Sequence, residues 1–116
     1  MEINKLLKAI VDCAEDKKAQ DIVVLDIRGL SVIADYFLIC HGHSETHVQA
    51  IAEAIRKKGQ ELGFDLKTPE GMDHARWVLL DFGDLIVHVF HREEREFYNL
   101  EKIWADASPV QISSSI

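Results

Sequence analysis

The chain is predicted to be a small two-layer α+β domain, with helices packed on one mixed β-sheet. Three features of its 116 residues carry that expectation. Apolar residues recur at helical spacing over 2–18 and again over 45–62. Alternating apolar runs occupy 19–29 and 36–41. Two more runs flank Phe82-Gly83 in WVLLDFGDLIVHVF, residues 77–90, the usual signature of a hairpin.

In the first segment Ile3, Leu6, Leu7, Ile10, Val11 and Ala14 form one helical stripe, with Lys and Glu on the other side. AQDIVVLDIRG then alternates: Val23, Leu25 and Ile27 face one way, Val24, Asp26 and Arg28 the other, until Gly29 ends the strand. YFLICH supplies the second strand. Gly42-His43-Ser44 leads into the second helix, where Ser44 is the expected N-cap and Glu45 complements the dipole of the first turn. Val48, Ile51, Ala52, Ile55 and Leu62 are its buried stripe, and Gly63 stops it. The loop 66–76, containing Pro69 and Gly71, precedes the hairpin. REEREFYNLEKIWAD is expected to form a third helix that buries Phe97, Leu100, Ile103 and Trp104. The expected order is αββαββα in one domain, 1–107, followed by a mobile tail, 108–116.

Composition narrows the function classes. Apolar residues are 47% and charged residues 28%, ordinary values for a soluble domain. The longest apolar runs fall far short of the roughly 20 residues a membrane span needs, and no basic-then-apolar leader precedes the first helix. Cys13 and Cys40 are too few for a disulfide scaffold, and their apolar contexts suit reduced thiols in a cytoplasmic protein. Twenty carboxylates against 13 Lys and Arg give a net charge of −7. That balance disfavours a grip on nucleic acid phosphates and suits a basic protein partner.

The hairpin separates two chemistries. Symmetric pairing about Phe82-Gly83 sets Trp77 opposite His88, Leu79 opposite Ile86 and Asp81 opposite Asp84. Val78, Leu80, Leu85, Val87 and Val89 point to the other side, an aliphatic face suited to lie under helices. The first face combines Trp77, Leu79, Ile86 and Phe90 with a titratable ring and carboxylates, which suits a binding face. The competing reading is that the third helix covers and buries it.

Catalytic readings are weaker. Cys40, His41, His43 and His47 offer metal-ligand atoms, without regular spacing or a second Cys to complete a set. The Gly42-x-Ser44 corner places backbone N–H groups at a helix start, as phosphate sites do. A nucleotidyltransferase of this element order also needs paired carboxylates for magnesium, and Asp65 is followed two residues later by Lys67 instead. Asp81, His88 and either Ser31 or Ser44 lack a nucleophile-elbow motif. No cofactor, metal or catalytic residue is therefore expected.

Several ordered blocks carry a resemblance: DIVVLDIRG, ADYFLIC with Gly42-x-Ser44, HVQAIAEAI, Glu70-Gly71, WVLLDFGDLIVHVF and REFYNLEKIW. Over residues 3–107 the chain resembles the ribosomal silencing factor family, also called the Iojap family. The resemblance implies a nucleotidyltransferase-like fold without the catalytic carboxylates, and a homodimeric, non-catalytic regulator of translation. It implies binding to the large ribosomal subunit through its fourteenth protein, which blocks joining with the small subunit when nutrients are scarce. No direct nucleic acid contact and no membrane are required. On this reading Trp77 and Leu79 are apolar anchors, and Asp81, Asp84, Glu70 and Glu101 pair with Lys or Arg of the partner. Tyr98 and His88 supply polar rim contacts. The alternative is a nucleotide- or metal-dependent enzyme of nucleotidyltransferase type.

Overall fold

Periodicity alone places most of the elements. A computed structural model of the chain describes residues 2–103 and 107–110. In order these are α1 (Glu2–Asp16), β1 (Gln20–Asp26), β2 (Tyr36–Gly42), α2 (Glu45–Glu61), β3 (Trp77–Asp81), β4 (Leu85–His91), α3 (Arg92–Tyr98), α4 (Leu100–Ile103) and β5 (Ser108–Pro109). The sheet has five strands in the order β3-β4-β2-β1-β5. The central β2–β4 pair is parallel; β1–β2, β1–β5 and β3–β4 are antiparallel. The expected mixed sheet with packed helices is what forms.

The main core follows the predicted stripes. Leu6, Leu7, Ile10, Val11 and Ala14 of α1 meet Val48, Ile51, Ala52 and Ile55 of α2 over Val24, Leu38, Cys40, Val78, Leu80, Leu85, Val87 and Val89. The five hairpin aliphatics of this face are all fully buried, which removes their surface from water at about 25 cal/mol per Å². Ser44 caps α2: its Oγ accepts the His47 backbone N–H at 3.0 Å, and Gly63 turns the chain away at φ +83°.

The hairpin register differs from the symmetric expectation. Trp77 pairs with Phe90, Leu79 with His88 and Asp81 with Ile86. Phe82 N–H donates to the Leu85 carbonyl at 2.9 Å, so the turn is centred on Gly83-Asp84, not on Phe82-Gly83. Gly83, at φ +94°, supplies the left-handed residue a two-residue turn requires. Phe82 is instead held in the core, 8% exposed. A register shift of two residues preserves every side-chain direction, so the expected division into faces survives.

The third helix is also corrected. It stops at Tyr98 because Asn99 adopts φ 48°, and a separate short helix begins at Leu100. Phe97 is then 80% exposed, where continuous helical spacing predicts burial beside Leu100. The Trp104 expectation lies outside the described residues. Ser108–Pro109, expected in the tail, pair with Asp26 and Leu25 of β1 as a short edge strand.

Candidate partner-binding face

The second face of the sheet carries its own smaller core: Leu25, Ile27, Ala34, Phe37, Ile39, Ile86, Phe90 and Ala107, flanked by Val23, Trp77, Leu79 and Leu100. Alternation along β3 and β4 sends Trp77, Leu79, Asp81, Ile86, His88 and Phe90 to this side. The β4 residues are sealed: Ile86, His88 and Phe90 are 7%, 5% and 0% exposed. Trp77, Leu79 and Asp81 on β3 are half-buried. The β4 side of this face is thus sealed and the β3 side partly open.

Rings assemble where β4 ends and α3 begins. The Trp77 indole stacks on Phe90, with centroids 4.9 Å apart and planes at 28°, and lies 4.8 Å from the Tyr98 ring. Tyr98, 42% exposed, meets Phe97 edge-on at 5.1 Å, continuing the aromatic surface outward. Asn99 is the sequence signal for this placement, since a left-handed Asn ends a helix and frees the preceding residues from its stripe.

His88 lies beneath this surface. Its Nδ1 accepts the Trp77 indole N–H at 3.1 Å, and its ring meets Phe37 edge-on at 4.7 Å. Burial lowers its pKa from 6.5 to about 4, so the ring is neutral at pH 7. Among the described residues, the buried Nε2 atom has no hydrogen-bond partner. An unmatched buried N–H costs about 1–3 kcal/mol, whereas a made bond contributes about 0.5–1.5 kcal/mol. The polar rim position expected for His88 is thus not where it sits.

The remaining candidates line the border of β3. Asp81 Oδ1 accepts the Gly83 N–H at 2.8 Å, and Lys67 Nζ lies 3.7 Å from its Oδ2. Asp84 is exposed in the turn, while its carbonyl accepts the N–H groups of Asp35 and Tyr36. Glu70 is exposed and exchanges both backbone bonds with Leu79, at 3.1 and 2.9 Å. Lys67 N–H donates to the Asp81 carbonyl at 3.0 Å. The loop 67–70 therefore covers the outer backbone edge of β3. Gly71 makes this close approach possible. At φ +84°, a Cβ there would fall 2.1 Å from the Trp77 carbonyl oxygen. The Glu101 side chain lies outside what the structure describes.

The constellations suggested for chemistry do not converge. Cys40 points into the helix-covered core, whereas neighbouring His41 takes the opposite side of β2 and contacts Arg95 at 2.9 Å. Burial pushes the Cys40 thiol up to about 12, which suppresses the thiolate a metal or nucleophile needs. His47 fills the Gly42–Ser44 corner: its Nδ1 lies 3.2 Å from the His43 backbone nitrogen and accepts its N–H, and its Nε2 lies 2.8 Å from the Lys17 carbonyl. Two N–H groups that would face a phosphate are thereby bound to side chains of the corner itself, through His47 Nδ1 and Ser44 Oγ. A cavity of about 720 Å³ between β1 and α3 sets Arg92 and Arg95 against Asp21 and Glu96. Its Arg95 guanidinium is engaged by the Gln20 carbonyl and His41 Nδ1.

Comparison with known proteins fits the ordered motifs on this frame. The family model for the ribosomal silencing factor during starvation matches residues 1–115. The chain belongs to the ribosomal silencing factor family. It is 53% identical over 107 residues to the Bacillus subtilis ribosomal silencing factor RsfS, covering 92% of this chain and 91% of that protein. Against the Halalkalibacterium halodurans ribosomal silencing factor RsfS it is 52% identical over 116 residues, 100% of this chain and 99% of that one. A crystal structure of a Chromobacterium violaceum protein superposes with a TM-score of 0.88 at 32% identity, covering 99% of this chain and 97% of that one. For this ribosomal silencing factor family member, the Glu70-Gly71 motif has a structural role in the strap against β3. Among the described residues, no helix is long and apolar enough to cross a membrane.

Proposed function

We propose that this chain represses translation by docking on the large ribosomal subunit, through its fourteenth protein, and excluding the small subunit sterically. The observation that carries the docking face is the run of partly exposed rings, Trp77, Tyr98 and Phe97, beside half-buried Leu79. Aromatic anchors with a charged border are the usual makings of an interface core. Asp81, Asp84 and Glu70 form the acidic border, the sequence motif adds Glu101 as a further candidate, and the net charge of −7 favours encounter with a basic partner. Steric exclusion requires affinity and position, with no catalysis, cofactor or metal. In this reading the protein is cytoplasmic, forms a homodimer, and needs no direct contact with nucleic acid.

Cosedimentation with isolated large and small ribosomal subunits tests the proposal. Wild type is expected to pellet with the large subunit alone, and Trp77→Ala to lose at least about tenfold in affinity while remaining folded. Absence of binding to either subunit would sink the proposal. Undiminished binding by Trp77→Ala would move the interface off the hairpin.

A further inference from the structure

His88 occupies a fully apolar strand position at which its own chemistry is poorly served. An indole nitrogen can only donate, so the 3.1 Å bond makes His88 Nδ1 the acceptor. In the neutral ring the proton then sits on Nε2, the buried atom that has no partner among the described residues. A leucine here would fill a similar volume and remove that unmatched donor. It would also leave the Trp77 indole N–H without this acceptor, so the imidazole gives the fold one hydrogen bond at the cost of one unmatched donor.

What the imidazole does supply is control of Trp77. Trp77 starts β3 and is half-buried. Phe90 fixes the plane of the indole by stacking at 28°. Stacking leaves a ring free to slide and turn within its plane. The bond from Nε1 to His88 Nδ1 removes that freedom and sets which edge of the indole points outward. Phe37, meeting the imidazole edge-on at 4.7 Å, and Phe90, stacked 6.2 Å from it at 12°, hold the acceptor itself in place. An anchor ordered before contact loses less freedom on binding.

We infer that His88 is a positioning residue for the docking face: it holds the Trp77 indole in the orientation a partner meets, at the expense of fold stability. The inference rests on the docking reading above and adds to it a residue that never touches the partner. It separates two properties that a purely structural residue would move together.

Three readouts on His88→Leu and His88→Gln test it: the urea midpoint, the Trp77 indole N–H resonance, and affinity for isolated large subunits. Trp77→Phe identifies the resonance. His88→Leu is expected to keep or raise the urea midpoint, to shift the resonance and speed its exchange with solvent, and to weaken binding roughly three- to tenfold. His88→Gln, whose amide oxygen can accept the same N–H, is expected to recover most of the affinity. A lowered midpoint with an unmoved resonance would make His88 a structural residue only and overturn the inference. A shifted resonance with unchanged affinity would overturn it while sparing the docking face. Should Trp77→Ala bind as wild type does, the docking reading fails first and the inference with it.

Discussion

The two faces of the β3–β4 hairpin are made from alternate residues of the same strands, yet they are finished in opposite ways. Val78, Leu80, Leu85, Val87 and Val89 have no polar atoms in their side chains and disappear under α1 and α2. Trp77, Leu79, Ile86, His88 and Phe90 are more varied and belong to a ring-bearing cluster that includes Phe37 and Tyr98. Aliphatic side chains under helices interlock and leave one arrangement at native packing density. Rings on the other face stack, exchange a hydrogen bond, and leave their outer rim exposed. The first face is sealed under helices; the second leaves Trp77, Leu79 and Tyr98 partly exposed.

The sharpest contrast comes from truncation. Leu80→Ala on the helix-covered face is expected to cost roughly 3 kcal/mol in urea unfolding, since the cavity it leaves is enclosed on every side. A cost below about 1 kcal/mol would mean that this face is looser than its complete burial implies.

Acid should act on the ring-bearing face through His88. Its pKa falls from 6.5 to about 4 on folding, so between those values the unfolded chain holds a proton that the fold excludes. Stability therefore decreases as pH drops through 6.5 towards 4, by about 3 kcal/mol when complete. Urea midpoints at pH 7 and pH 5 should differ in wild type and differ less in His88→Leu. Equal slopes in the two proteins would place the acid sensitivity elsewhere.

The smallest stability effect is expected at the rim. Tyr98→Ala removes a ring that is 42% exposed and should change unfolding by less than about 1 kcal/mol. The same substitution is expected to weaken large-subunit binding by about tenfold or more, measured by cosedimentation. A large loss of stability instead would show that Tyr98 belongs to the fold and not to the surface.

Much of this architecture is legible in local pattern. The stripes of α1 and α2, the Ser44 cap and the alternation of the strands each depend on neighbours within a few residues, so periodicity recovers them. Side-chain direction along the hairpin was also legible, because parity survives the two-residue difference in register. Phe97 and His88 were not. The spacing of Phe97, Leu100 and Trp104 reads as one stripe, but the left-handed Asn99 breaks the helix between the first two. Symmetric pairing sets Trp77 opposite His88, but nothing in β4 reveals that Phe37, distant in sequence, meets the imidazole ring and that the ring is buried.

By itself the sequence determined most of the elements, their amphipathic faces, the acidic balance and, through ordered motifs, the family. Those follow from spacing and composition, which act locally or sum over the whole chain. The tertiary structure alone decided the parallel pairing of β2 with β4, the strap of Glu70 and Gly71 against β3, and the unmatched proton on His88. Each of these depends on groups far apart in the chain being brought to within a few ångströms. Only packing sets such distances, and at such distances a hydrogen bond is either made or missing.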